Sequence, residues 1–567
     1  MTFPNTTFIT QVTHITQPWA QAVNDWLWKE GYVENYWDGT GDASAAVQTA
    51  LTNLSVVKFR SGVTYTLASN ITIPANRKIV VEKGAILDCT TGMRWTAYLD
   101  TGMTNVEWQI DGWIKSSGMA ANPAPRLPGW PGLGFGEVGD CRGFMEFGGN
   151  SDNGTVAGFW VHGTGRITGD WVGGPDIGGP PDGQKFQVNQ RGIYAFGASK
   201  VRVEGIEIAN FYGEQICFNS FVGPSYDWVI DKVYSHDGAF NALNFNAIGV
   251  TIGARITNCH TLNCYAGIEM SVGTAEGNFI DSPAAIGIWT GAGGGTGPIC
   301  IKGNILKNVN AAGAFGGSGA IAATFSSAIG NLVVVPMLQI CNNYIINPWS
   351  YGIYVHMITD FIVSDNFAMG VGQGLGGYMV TLSSEDNAHT FTGTCKRGVV
   401  EGNVEVLPGT FGAYAITPTS PVGYDVGCLD IVVQNNYRIT TTSAAPINKD
   451  LNGIQLVWTP VMAGLTVVAG TGGATYTGQY TRIGNIIYWE LFIIVTGTCT
   501  TASTINVTSF SGLPVAAASI APCCASEVTL SGTRASLPSG MVQASTVFCP
   551  TWAASNSIVT LSGWYFV

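Results

Sequence analysis

A loose Gly-Ile-x-apolar motif, used as a ruler from about 190 to 405, sets matching apolar residues at Ile193, Ile216, Leu243, Ile268, Ile288, Ile321 and Ile353, in steps of 20 to 33 residues. Internal periods of that order belong to solenoids and related arrays, in which each repeat buries its apolar face only against its neighbours. A second set of strands falls between the first. It includes Trp228-Val229-Ile230-Asp231-Lys232-Val233, Arg255-Ile256-Thr257-Asn258-Cys259 and Ile299-Cys300-Ile301-Lys302-Gly303-Asn304-Ile305. Such a chain is expected to stack its strands as parallel coils. Asn258, Asn304, Asn342 and Asn366 follow or end these strands, where side-chain amides can bond from coil to coil.

Length agrees, because 567 residues exceed what one compact core serves. The 75 glycines, with many Val, Ile and Thr, suit short strands joined by tight turns. Only 11% of residues are charged and 46% are hydrophobic, so apolar surface is expected to be buried between subunits. A net charge of −12 argues against nucleic acid, which needs a concentrated basic face. No apolar run reaches the ~18 residues of a membrane span, so no membrane insertion is expected. Met1-Thr2-Phe3-Pro4-Asn5 carries no charged or apolar leader, and assembly in a cytoplasm is expected. The 13 cysteines lack the spacing of a disulfide scaffold and are expected to be reduced and buried. Cys259, His260 and Cys264 suit inward positions better than a zinc site, and neither metal nor cofactor is expected.

The stretch Trp37-Asp38-Gly39-Thr40-Gly41-Asp42-Ala43-Ser44-Ala45-Ala46-Val47-Gln48-Thr49-Ala50-Leu51 resembles the turn and helix that open pectate-lyase-like bacteriophage tailspikes. Val57-Lys58-Phe59-Arg60-Ser61-Gly62-Val63-Thr64-Tyr65, Ile71-Thr72-Ile73-Pro74 and Ile79-Val80-Val81-Glu82-Lys83-Gly84-Ala85 are similar to the first coils of that family. The residues support the same reading by themselves. Asp42 or Ser44 can cap a helix whose Ala46, Val47, Ala50 and Leu51 form one apolar face, and that face would plug the open end of a solenoid.

The resemblance implies an all-β chain: a right-handed parallel β-helix with an N-terminal capping helix and a C-terminal antiparallel β-sandwich, assembled as a homotrimer. Residues 1–36 contain Phe8-Ile9-Thr10-Gln11-Val12-Thr13 and Trp19-Ala20-Gln21-Ala22-Val23-Asn24-Asp25, similar to the short anchor that joins tail fibres to a phage tail, baseplate or adaptor protein. Residues 37–450 are assigned to the β-helix, with an insertion at about 118–189 that is rich in proline and glycine and carries Trp130, Phe135, Trp160 and Trp171. Such an insertion on a rigid scaffold can wall a carbohydrate groove. Residues 451–567 are assigned to the sandwich, with Ile486, Tyr488, Glu490, Phe492 and Ile494 alternating as a strand does.

Coils stack about every 4.8 Å, so aligned positions become a distance estimate. Outward positions after the apolar reference hold Cys217, Asn244, Glu269, Trp289, Ala322 and Tyr354, and two residues before it lie Glu214, Asn241 and Ala266. Glu214 and Glu269 are thus two coils apart, roughly 10 Å along the axis. Glycoside hydrolysis needs one carboxylic acid and one carboxylate, at about 6.5–9.5 Å in inverting enzymes and about 5–5.5 Å in retaining ones. Glu214 and Glu269 are candidates for acid and base, with Asp237 orienting water or replacing one of them. Tyr212, Asn241, Asn244 and Trp289 are candidate sugar-binding residues, the aromatics by stacking on apolar sugar faces.

The layout from Gly165 through His236-Asp237-Gly238 is also similar to polygalacturonase-like hydrolases. Asn241 and Ala266 stand where that family has aspartates, so its constellation does not transfer. The expected function is a virion tailspike that binds a bacterial surface polysaccharide, capsule or O-antigen, and cleaves it by endo-glycosidic hydrolysis. A polysaccharide lyase drawing on Arg202, Lys232, His236 and Arg255 and a binding-only tail protein are the alternatives.

Overall fold

The computed structural model describes residues 31–90, 92–99, 102–117, 143–149, 156–175, 191–220, 225–247, 251–290, 298–311, 313, 319–324, 337–356, 358–372, 378–383, 395–407, 422–424 and 428–440, then strand segments between 455 and 566. From Val56 to Thr440 the chain winds as a right-handed parallel β-helix of three sheets, here called A, B and C, with 13, 13 and 12 strands. The first coil is Val56–Phe59 in sheet A, Thr64–Leu67 in sheet B and Ile71–Thr72 in sheet C.

The register follows the apolar ruler. Ile193, Ile216, Leu243, Ile268, Ile288, Ile321 and Ile353 pair in succession along sheet C. All are fully buried in one continuous core. Strands of sheets A and B alternate buried and more exposed residues, whereas Arg191–Phe196, Ile216–Ser220 and Ala266–Met270 of sheet C are buried at every position. Sheet C therefore shields polar side chains on its outer face.

The turn between sheets A and B is fixed by neighbouring asparagines with opposite tasks. Asn258, Asn342 and Asn435 adopt left-handed backbone with φ of 54°, 56° and 52°, a conformation asparagine tolerates better than most residues. The buried amide ladder is instead formed by Asn278, Asn304, Asn343, Asn366, Asn403 and Asn436, each side-chain N–H donating to the next Oδ1 at 2.8–2.9 Å. Asn304 and Asn366 are in the ladder as expected; Asn258 bonds coil to coil outside it, its Nδ2 donating to Asp231 Oδ1 at 2.9 Å, and Asn342 is not in the ladder. Cys259 begins the column, its backbone N–H donating to Asn278 Oδ1, and Cys259 and Cys264 both face inward.

Helix α1 (Ser44–Asn53) closes the first coil with Ala46, Val47, Ala50 and Leu51 buried. Asp42 accepts from the backbone N–H and hydroxyl of Ser44. The expected anchor falls largely on 1–30, outside the described residues, while Tyr32 already bridges Lys58 in parallel. The stretch 118–189 is not one insertion. Gly143–Gly149, Val156–His162 and Arg166–Thr168 take places in sheets C, A and B, so it contributes a coil. Trp130 and Phe135 lie outside the described residues.

The C-terminal strands are antiparallel and have their own core around Trp489, Leu491, Ile493, Leu561 and Tyr565. They form a 10-stranded and a 2-stranded sheet. Among the described residues no helix is long and apolar enough to cross a membrane, which leaves β-barrels unaddressed.

Candidate active site

On the outer face of sheet C, Arg191, Glu214 and Asn241 stand two residues before Ile193, Ile216 and Leu243, and Asn244 and Glu269 stand one residue after Leu243 and Ile268. Period-two alternation turns the following residue outward, and the stack brings successive coils within side-chain reach. Glu214 is 6% exposed and Glu269 7%.

Arg191 holds Glu214 in a forked ion pair: Nε donates to Oε2 at 2.5 Å and Nη2 to Oε1 at 3.1 Å. Its guanidinium also lies 4.7 Å from the Tyr194 ring centroid. Asn244 Nδ2 donates to Glu214 Oε1 at 3.3 Å and to Glu269 Oε2 at 3.1 Å. Asn241 Nδ2 donates to the same Glu269 oxygen. The bridged carboxylate oxygens therefore lie no farther apart than the two bonds laid end to end, about 6.4 Å. The coils of the two glutamates are roughly 10 Å apart along the axis, and the carboxylates come closer because both bond to one amide on the coil between them.

Burial first, and the neighbouring Glu214 charge second, push the Glu269 carboxyl up to about 8, against the pull of Arg191. Near neutral pH Glu269 keeps its proton, and Glu214 is paired with a guanidinium. The site therefore offers one acid and one carboxylate. Asn241 Oδ1 and Asn244 Oδ1 are buried acceptors with no hydrogen-bond donor among the described residues.

Among the described residues, Asp237 makes no hydrogen bond to either glutamate. It occupies a left-handed turn position, φ 53°, in a column with Asn210, Asn263 and Asn308 at the end of sheet B strands. Its carboxylate accepts from His236 Nδ1 at 2.8 Å and Asn263 Nδ2 at 2.7 Å, which holds it below the usual carboxylate range despite partial burial. Tyr212 packs edge-on against Trp171 at 4.8 Å. Trp289 follows Glu269 in register and donates Nε1 to Thr324 Oγ1 at 2.8 Å.

Arg202 and Arg255 project from strands of sheet A, Lys232 from the turn after one, and His236 from sheet B. The cation at the glutamates is Arg191, which was not singled out from the sequence. Its signal was available, since it precedes Ile193 by the interval that separates Glu214 from Ile216.

The fold is a right-handed parallel β-helix of three sheets. Among solved structures, two phage tailspike proteins and an exopolygalacturonase are similar to it in fold. The Dettilon tailspike protein is 13% identical, with 94% of each chain covered and a TM-score of 0.45. An exopolygalacturonase from Thermotoga maritima is 12% identical over 73% of this chain and 91% of its own, TM-score 0.39. Bacteriophage CBA120 tailspike protein 3 is 10% identical over 76% and 63%, TM-score 0.37. No protein-family model and no curated protein matches the chain. These likenesses are of fold, and function has to be argued from the residues.

Proposed function

We propose that this chain is a phage tailspike that binds a bacterial surface polysaccharide and cleaves it as an endo-glycosidase. Glu269 is the acid that protonates the leaving glycosidic oxygen, and Glu214 is the carboxylate that acts at the anomeric carbon. The observation that carries the reading is the shared Asn244 amide, which couples a buried, proton-retaining glutamate to an ion-paired one. A separation of at most about 6.4 Å between the bridged oxygens favours direct attack by Glu214 and retention of configuration over activation of an intervening water. The Asn241 and Asn244 oxygens, which have no donor among the described residues, suit sugar hydroxyls as donors. Tyr212 and Trp289 remain candidates for stacking on sugar, and Asp237 for holding the sheet B turn beside the site.

The sequence resemblance over 37–88 supports a tail protein that is trimeric, acts at the host surface and joins the particle through residues 1–36. The test is digestion of purified surface polysaccharides, following new reducing ends together with the ultraviolet band of an unsaturated uronate. Reducing ends without that band, lost in Glu269→Gln and in Glu214→Gln, support the hydrolase. The band itself identifies a lyase, and binding without either signal identifies an adhesin.

A further inference from the structure

A cleft on sheet A is built around an exposed indole. Trp160, on the strand Val156–His162, is 40% exposed. One face of its ring stacks on His162 at 4.1 Å, and its Nε1 donates to Glu204 Oε2 at 2.9 Å, so the ring is fixed. Residues 158, 160 and 162 share the outward face of this strand, so the other ring face turns toward Gly158. The glycine sits at an irregularity in the register with φ 93°. Gly158 and Trp160 together line a cleft of about 410 Å³, in the size range of small-ligand sites.

The walls are polar and carry both charges. Asn105 and Lys200 lie on the coils to either side, both in left-handed backbone. Glu107 and Arg202 flank Trp160 in register. Glu107 is tied to Lys78 and His162, and Arg202 to Glu204 at 3.6 Å, whereas exposed Lys200 has no ion-pair partner among the described residues. A rigid aromatic face beside an uncommitted cation, with amide and carboxylate groups for hydroxyls, matches a pyranose that bears a carboxylate.

We infer that this cleft is a second sugar site, on a different sheet from the glutamates, which holds an acidic pyranose against Trp160 without cleaving it. It would anchor a glycan chain whether or not Glu214 and Glu269 hydrolyse it.

The test uses the full chain and sodium glucuronate, with methyl glucoside as the uncharged control, in saturation-transfer NMR. Transfer to glucuronate is expected in the wild type, at least five-fold weaker in Trp160→Ala and largely retained in Trp160→Phe. Lys200→Ala should lower it about three-fold. Glu269→Gln should leave it unchanged, which separates this site from the proposed catalytic one. Unfolding temperature and oligomeric state of Trp160→Ala check that the chain is intact. No transfer in the wild type overturns the inference, as does loss only in Glu269→Gln. A Trp160→Ala chain that changes its oligomeric state while keeping its glucuronate signal also overturns it, and marks the ring as a subunit contact.

Discussion

Glu214 and Glu269, two coils apart in the chain, are joined through one amide: Asn244 Nδ2 lies 3.3 Å from an oxygen of the first and 3.1 Å from an oxygen of the second. Replacing either glutamate by glutamine keeps the size of the side chain but removes the acid or the carboxylate. Each variant should lose at least about 100-fold in depolymerisation rate, in the range general acid–base catalysis contributes. Reducing-end assays on the same polysaccharide, with thermal unfolding as a folding control, measure this.

The protonation of Glu269 predicts an alkaline limb. Activity should fall as pH rises through about 8, where the acid is lost. Stability responds over a wider window. The folded carboxyl is raised from its ordinary 4.5 to about 8, so between those values the native state binds more protons than the unfolded chain, and stability decreases as pH rises. The slope is at most about 1.4 kcal/mol per pH unit. Glu269→Gln should flatten this contribution in urea titrations at a series of pH values.

Arg191 neutralises a buried carboxylate, so its loss should be felt as instability before it is felt as chemistry. Arg191→Met strands the Glu214 charge and is expected to cost about 3–5 kcal/mol, whereas adding Glu214→Gln recovers most of it. Denaturant midpoints of the two single variants and the double variant give the coupling.

Asn342 and Asn343 are neighbours with different fates. Asn343 accepts from the Asn304 backbone at 3.0 Å and side chain at 2.9 Å, and donates to Ile301 O at 3.0 Å and Asn366 Oδ1 at 2.9 Å. Asn343→Leu should destabilise by about 3 kcal/mol or more by orphaning buried groups. Asn342→Gly keeps the left-handed turn and should stay within about 0.5 kcal/mol of wild type.

Asp237 sits in a turn column where asparagine recurs. Asp237→Asn is expected to retain at least half of the depolymerase activity, and a loss of the size expected for Glu269→Gln would return Asp237 to the reacting centre.

The sequence by itself determined the stack of coils. Apolar residues at Ile193, Ile216, Leu243, Ile268, Ile288, Ile321 and Ile353 must face one core, and a one-residue slip would turn them outward, so the register followed from pattern alone. The cap at Ser44–Asn53 was legible for the same reason. What needed the tertiary structure was the direction and reach of polar side chains. Asn342 and Asn343 differ by one position in a turn, and only backbone conformation tells which amide points inward. Arg191 meets Glu214 across 23 residues, and Asn244 meets the two glutamates across 30 and 25. The burial that keeps a proton on Glu269 comes from the two-sided packing of sheet C, a property of neighbouring coils that no single segment encodes.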